Sequence, residues 1–345
     1  MRTGLPTLLV VGPAGHGVAA YADDVARAVR ARAPEVRVRH AADAIEALQA
    51  ASELERVHLH VTDRLLGRVP EDAAGVIEEM ARRTRLTLTV HDVPQRSDGA
   101  MMRRRVDAYS RMLDAAAGAI VNSRHELALV AEFLHTAVRP GVIPLGATRA
   151  RSPRVAAPPV RDEALTVLLA GYVYPGKGHL SAIRAADRAR RRLRERSAGP
   201  RRAVVRAIGA PSAGHERDLD ALAAEAARLD VGWEVTGFLH DRDFASAMTG
   251  QGIPLAAHEH VSASRSMLDW VEAGRRPLVV DSRYAREMAQ LRPGTMTRYR
   301  AEALDDALAD AWERPESTWL PSATSLVPSL DDVAGAHLTW WRARA

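Results

Sequence analysis

The residues with chemistry in them sit just beyond short apolar runs. After Ile253 to Ala257 comes a loop carrying Ser262, Ser264 and Ser266. It opens a helical stretch through Met267, Leu268, Trp270 and Val271 that ends at Gly274. A serine-lined turn into a helix aims backbone N–H groups and the positive end of the helix dipole at one point, which suits a phosphate or diphosphate. Small side chains there let an anion come close. Lys177, in a Gly-Lys-Gly turn that follows Leu165 to Ala170, adds a point charge. Both turns are expected at the carboxyl edge of one sheet, where lysine and helix start would grip a diphosphate together. Asp269, one turn into the helix, is placed to accept hydrogen bonds from a ribose. Taken singly, these are a capped helix, a solvated lysine and a helix-facing carboxylate; their joint arrangement argues for a site.

The first half carries histidines at comparable places. Thr7 to Val11 is followed by a glycine-rich turn, Gly12 to Gly17, that presents His16. Its spacing departs from G-x-G-x-x-G, which disfavours a dinucleotide coenzyme. Leu86 to Val90 delivers His91 at its carboxyl end, where ligands bind in open α/β sheets; a histidine bonding the following turn is the plainer alternative. Val57 to Thr62 alternates and puts His58 and His60 on one face. With no cysteine or third histidine nearby to complete a ligand set, no metal site is expected.

Around these residues the chain alternates strand and helix. Strands are expected at 7–11, 36–40, 57–62, 86–90, 118–122 and 142–145, with helices at 18–32, 45–53, 73–83, 101–116 and 125–134, the last capped by Ser123. Arg149 to Glu163 is Pro- and Arg-rich without periodicity and reads as a linker. A second series follows, with strands at 165–170, 204–209, 233–236, 253–257 and 277–280 and helices at 180–194, 216–228, 244–248 and 267–273. The expected fold is α/β, with two Rossmann-like doubly wound domains facing a cleft. Residues 1–148 form the first domain, 149–163 the linker and 164–328 the second. A final helix in 329–345, with Trp340 and Trp341, is expected to cross back to the first domain.

At 345 residues the chain suits two cores. It has no cysteine, so disulfides and thiolate metal sites are excluded. The net charge of +5 comes from 48 basic against 43 acidic residues, a mixed surface that does not imply nucleic acid. The densest basic run, Arg188 to Arg206, reads as a solvated helix face. No apolar run reaches the roughly 18 residues of a membrane span, and the N-terminus shows no signal-cleavage pattern. A cytoplasmic location follows, at most against the inner face of a membrane. Met101 and Met102 beside Arg103, Arg104 and Arg105 fit a peripheral membrane contact, but an exposed helix start explains them more simply.

In their order along the chain these features resemble the retaining glycosyltransferases of family four, which have the GT-B architecture. The resemblance rests on the Gly12 to Gly17 loop, His91, the Gly-x-x-x-Pro-x-Lys-Gly turn at Gly171 to Gly178, and Asp269 five residues before Gly274. It extends to NSRHE at Asn122 to Glu126 and VIPLG at Val142 to Gly146. It implies transfer of a sugar from a nucleotide-sugar donor held by the second domain to a sugar, glycan, lipid or small-molecule acceptor held mainly by the first. By position, Lys177 would bind the donor phosphates, the amides of Ser264, Arg265 and Ser266 the diphosphate, and Asp269 the ribose. Gly15 and Gly17, flanking His16, would approach the donor from the other domain, with His91 near the transferred sugar. No metal and no cofactor beyond the donor is implied, because lysine and helix amides neutralise the leaving diphosphate.

The chain departs from the family pattern in two respects. Tyr172 stands where members commonly carry arginine, and Val261 and Asp269 stand where they carry two glutamates eight apart. Glu259 is the nearest carboxylate to take over at the sugar, and Arg265 or Arg275 the nearest replacement cation. A catalytically silent binding relative is the first competing reading. A nucleotide-sugar epimerase is the second, although it would need acid and base groups that the chain does not clearly supply.

Overall fold

The computed structural model describes residues 4–13, 15–153, 163–196, 199–259 and 261–344. They fall into two compact units. Unit 1 takes in Met1–Thr148, Val261–Ala263 and Pro328–Ala345; unit 2 takes in Arg149–His260 and Ser264–Val327. Most of the Pro- and Arg-rich stretch between them, 154–162, lies outside the described residues.

Unit 1 runs β1 (Thr7–Val11), α1 (Gly17–Arg32), β2 (Val38–Ala41), α2 (Ala44–Ser52), β3 (Arg56–Val61), α3 (Asp63–Leu66), α4 (Pro70–Arg83), β4 (Arg85–Val90), α5 (Met102–Ala115), β5 (Ala119–Val121), α6 (Arg124–Phe133) and β6 (Gly141–Val142). The strands form a parallel sheet in the order β2-β1-β3-β4-β5-β6. The inner strands are buried on both faces, so β1 reads as an unbroken apolar run and β4, although it alternates Leu with Thr, is buried from Leu86 to Val90. One core gathers Leu9, Leu59, Ile77, Met80, Leu88, Met112 and Leu113.

Unit 2 runs β7 (Ala164–Ala170), α7 (His179–Arg196), β8 (Arg202–Ile208), α8 (Asp218–Arg228), β9 (Val231–Val235), α9 (Asp241–Met248), β10 (Ile253–Ala256), α10 (Arg265–Glu272), β11 (Leu278–Val280), α11 (Arg283–Leu291), β12 (Thr297–Tyr299) and α12 (Leu304–Glu313). Its sheet is also parallel, in the order β12-β11-β10-β7-β8-β9. Here α11, β12 and α12 are additions to the elements expected from the sequence. α12 buries Leu304, Leu308, Ala311 and Trp312, a helical spacing against the sheet. The basic run is largely paired along α7: Arg190 and Arg191 both reach Asp187, and Arg190 also reaches Asp230.

The last helix, α13 (Leu330–Arg342), belongs to unit 1. Ser329 and Asp332 form a capping box at its start, it packs on α1, and Asp331 pairs with Arg32. Among the described residues no helix is long and apolar enough to cross a membrane.

Candidate functional site

In unit 2 the strand order reverses between β7 and β10, since the chain adds β8 and β9 on one side and β11 and β12 on the other. Such a reversal leaves a crevice beyond the carboxyl ends of the two strands, the usual ligand position in open α/β sheets. The lysine turn leaves β7 at that point, and the serine loop leaves β10.

The lysine turn depends on glycines at positive φ: Gly171 (+97°), Gly176 (+84°) and Gly178 (+92°). A Cβ on Gly178 would lie 2.3 Å from the Ala257 carbonyl oxygen, and one on Gly171 would lie 3.2 Å from Lys177 Nζ. Only glycine lets the turn lie against the end of β10, where the Glu259 N–H donates to the Gly176 carbonyl at 2.9 Å.

Lys177 is thereby folded inward. Its Nζ donates to Ser266 Oγ at 3.0 Å, and Ser266 Oγ is 3.3 Å from His258 Nε2 and 3.4 Å from Ser264 Oγ. Ser264 caps α10 by accepting from the Met267 N–H, while its own N–H donates to the Tyr284 hydroxyl. Burial pushes the Lys177 amine down to about 8, a fall that the nearby Asp269 charge partly offsets. Burial likewise raises Asp269 to about 6 against the opposing pull of Arg265. Arg265 bridges Asp269 at 2.8 Å and Glu272 at 2.9 Å. The arrangement is a buried lysine that stays charged below about pH 8, two serine hydroxyls and the first turn of a helix at one strand end, which can receive an anion with paired phosphates.

The structure thus brings together Lys177, Ser264, Arg265, Ser266 and Asp269. Tyr172 is 40% exposed on the rim of the turn and Glu259 is exposed. Ser262 stands apart from this cluster. It belongs to unit 1, where its hydroxyl donates to Glu126 at 2.7 Å and accepts from the Val93 N–H at 2.8 Å. Arg275 is not a replacement cation: it is fully buried, donates to the carbonyls of Met248, Gly250 and Gly252, and stacks on Trp319. The sequence reading overlooked His258, although its place immediately beyond a strand is the signal that singled out His91.

In unit 1, His16 caps α1 by accepting from the Val18 N–H, and burial with nearby Arg64 lowers its pKa. Gly15 and Gly17 flank it, and a Cβ at Gly17 would meet open space. His91 does stand at the end of β4, but it is buried and both ring nitrogens are engaged. Its Nε2 is 3.1 Å from His60 Nδ1, and Asn122 Nδ2 is 3.2 Å from its Nδ1. Burial lowers it to about 3, so the ring is neutral. Asp92, next to it, holds φ +57°, and buried Arg105 fixes that strained turn through the Asp92 carboxylate and carbonyl. Arg105 also pairs with Asp63 and Asp98. Glu126, a further residue the sequence did not mark for a role of its own, is wholly buried and raised to about 7 by desolvation.

The expectation that no third histidine lies near His58 and His60 is overturned. α13 supplies His337, and one ring nitrogen from each of the three lies within 4.8 Å of the others. Sequence distance hid it, because α13 returns to unit 1 from the far end of the chain.

Two parallel six-stranded sheets of this kind define the GT-B glycosyltransferase fold, and the chain has that fold. Among solved structures it is similar to Anabaena HepE in complex with UDP and glucose, with a TM-score of 0.66 at 13% identity over 98% of each chain. A second is the UDP-forming α,α-trehalose-phosphate synthase of Burkholderia xenovorans with glucose-6-phosphate, with a TM-score of 0.58 at 11% identity over 94% of this chain and 84% of that one. A third is the pneumococcal O-GlcNAc transferase GtfA with UDP and GlcNAc, with a TM-score of 0.55 at 13% identity over 87% of this chain and 59% of that one. No protein-family model and no curated protein sequence matches the chain.

Proposed function

We propose that the protein is a glycosyltransferase that moves a sugar from a nucleotide-sugar donor to an acceptor, with retention of configuration and with no metal at the donor phosphates. The observation that carries this reading is the Lys177 Nζ to Ser266 Oγ contact of 3.0 Å beside a Ser264-capped helix start, at the point where the unit 2 sheet reverses. In this reading Lys177 and the first-turn amides of Arg265 and Ser266 hold the diphosphate. They stabilise the charge that grows on it as the glycosidic bond breaks. Asp269, already oriented by Arg265, accepts from the ribose. His91 acts near the transferred sugar, together with Glu259. UDP is the favoured nucleotide, since HepE and GtfA, with the same fold, were captured with it. Binding and orientation supply most of the catalysis.

One observation favours a catalytically silent relative as the second reading: the ring nitrogens of His91 are taken up inside unit 1, and Tyr172 and Val261 replace a cation and a carboxylate. Hydrolysis of UDP-sugars by the purified protein separates the two. Slow release of UDP that disappears in Lys177→Ala is expected; a variant that turns over like the wild type would contradict the site. A protein that binds UDP and releases nothing would favour the silent reading.

A further inference from the structure

His58 and His60 on β3 and His337 on α13 are all buried in unit 1. Their ring centres are 5.5 Å apart for His58 and His60, 5.7 Å for His58 and His337, and 5.8 Å for His60 and His337. A ring centre lies about 3.2 Å from a zinc ion bound through its nitrogen. Three imidazoles sharing one ion therefore have centres about 5.2 Å apart in a tetrahedral set and about 5.5 Å apart in a trigonal one. The observed triangle is only slightly wider than that.

The hydrogen bonds say which nitrogens face inward. His337 Nδ1 is 2.9 Å from the Val333 carbonyl, so it carries the proton and Nε2 is a bare lone pair. That Nε2 is buried without a hydrogen-bond partner, and so is His60 Nε2. His58 Nδ1 lies 2.9 Å from Thr87 Oγ1, whose proton points to the Val57 carbonyl, so Nδ1 is again the donor. His58 Nε2 then accepts from the Thr89 hydroxyl at 2.9 Å. Two buried ring nitrogens left unsatisfied call for an explanation in a packed core. Ligating histidines characteristically spend their other nitrogen on a backbone or side-chain acceptor, as His337 and His58 do here.

We propose that His58, His60 and His337 form a transition-metal site, of the zinc(II) class, that ties α13 to β3 in unit 1. An all-imidazole set selects zinc and its neighbours over magnesium or calcium, which take oxygen ligands. Burial keeps the rings neutral, the form that ligates. His58 and His60 must both adapt: the Thr89 hydroxyl has to turn away from His58 Nε2, and at His60 Asn122 donates to His91 and His91 to His60 Nδ1, which puts the His60 proton on Nε2. On metal binding that proton shifts to Nδ1, and the chain reverses through His91 with the Asn122 amide turned over, which gives up its bond to the Val90 carbonyl. The proposal does not rest on the donor site at Lys177, although His60 touches His91, which the proposed function places near the transferred sugar.

The full chain, stripped with EDTA and dialysed, is titrated with zinc(II) and, separately, cobalt(II). Expected are one zinc per chain by elemental analysis, a raised melting temperature, and cobalt absorption bands of nitrogen ligation that zinc displaces. Both His337→Gln and His60→Gln should lose the bands, while His240→Gln, at a histidine outside the triad, should keep them. Wild-type protein with neither a zinc-dependent melting shift nor a cobalt spectrum differing from the aqueous ion would overturn the proposal. Undiminished binding in both triad variants would overturn it too. If those variants do not fold, the wild-type cobalt spectrum alone decides.

Discussion

Lys177 Nζ donates to Ser266 Oγ at 3.0 Å, so the point charge of one strand end and the helix start of its neighbour are joined by a hydrogen bond. Ser266→Ala removes the acceptor from a buried ammonium. A hydrogen bond to a charged group is worth roughly 1.5–3 kcal/mol. The variant should lose about that much stability in a denaturant melt and bind UDP about tenfold more weakly by calorimetry.

The lowered pKa of Lys177, about 8, gives a pH signature. The amine is charged below that value and neutral above it, so affinity for a nucleoside diphosphate, whose terminal phosphate is fully ionised by then, should fall as pH rises from 7.5 through 8. Lys177→Met should bind weakly and lack this fall. Titrations of both proteins across that range provide the check.

Glu126 titrates in the opposite sense. Burial raises its folded pKa from 4.5 to about 7. The stability it lends is therefore complete below 4.5 and is lost as pH rises through 7. Glu126→Gln keeps an acceptor oxygen for the Asn122 N–H and offers an amide N–H to the Ser262 hydroxyl oxygen, without the charge. Its melting temperature should change less than the wild type's between pH 5 and 8.

Gly178 has φ +92° and no room for a Cβ beside the Ala257 carbonyl. Gly178→Ala should cost about 1–3 kcal/mol from backbone strain and contact together. Gly176→Ala has the same sign of φ but open space, so it should cost less. Paired denaturant melts test the difference.

Much of the fold was legible because β-strands buried on both faces read as unbroken apolar runs, and capped helices announce their starts. β1 lies where the apolar run Thr7 to Val11 placed it, and Ser123 caps α6. α3 and β12 were harder, being only four and three residues long with no periodicity to read. The lysine turn and serine loop were visible because each follows a strand. Other parts were out of reach for physical reasons. Ser262 differs from Ser264 only by whom it bonds, and its partner Glu126 lies far back in the sequence. Arg275 looks like any surface arginine until the carbonyls of Gly250 and Gly252 close on it. His337 joins His58 and His60 only through the return of α13.

The most direct measurement is a thermal-shift series of the wild type and Lys177→Ala with UDP, GDP, ADP and TDP. A ligand held only by the folded state raises the melting temperature, by an amount that grows with the logarithm of its concentration over Kd. A clear rise with one diphosphate, UDP foremost, that vanishes in Lys177→Ala is the predicted result. No rise with any of the four, or an equal rise in both proteins, would contradict the account.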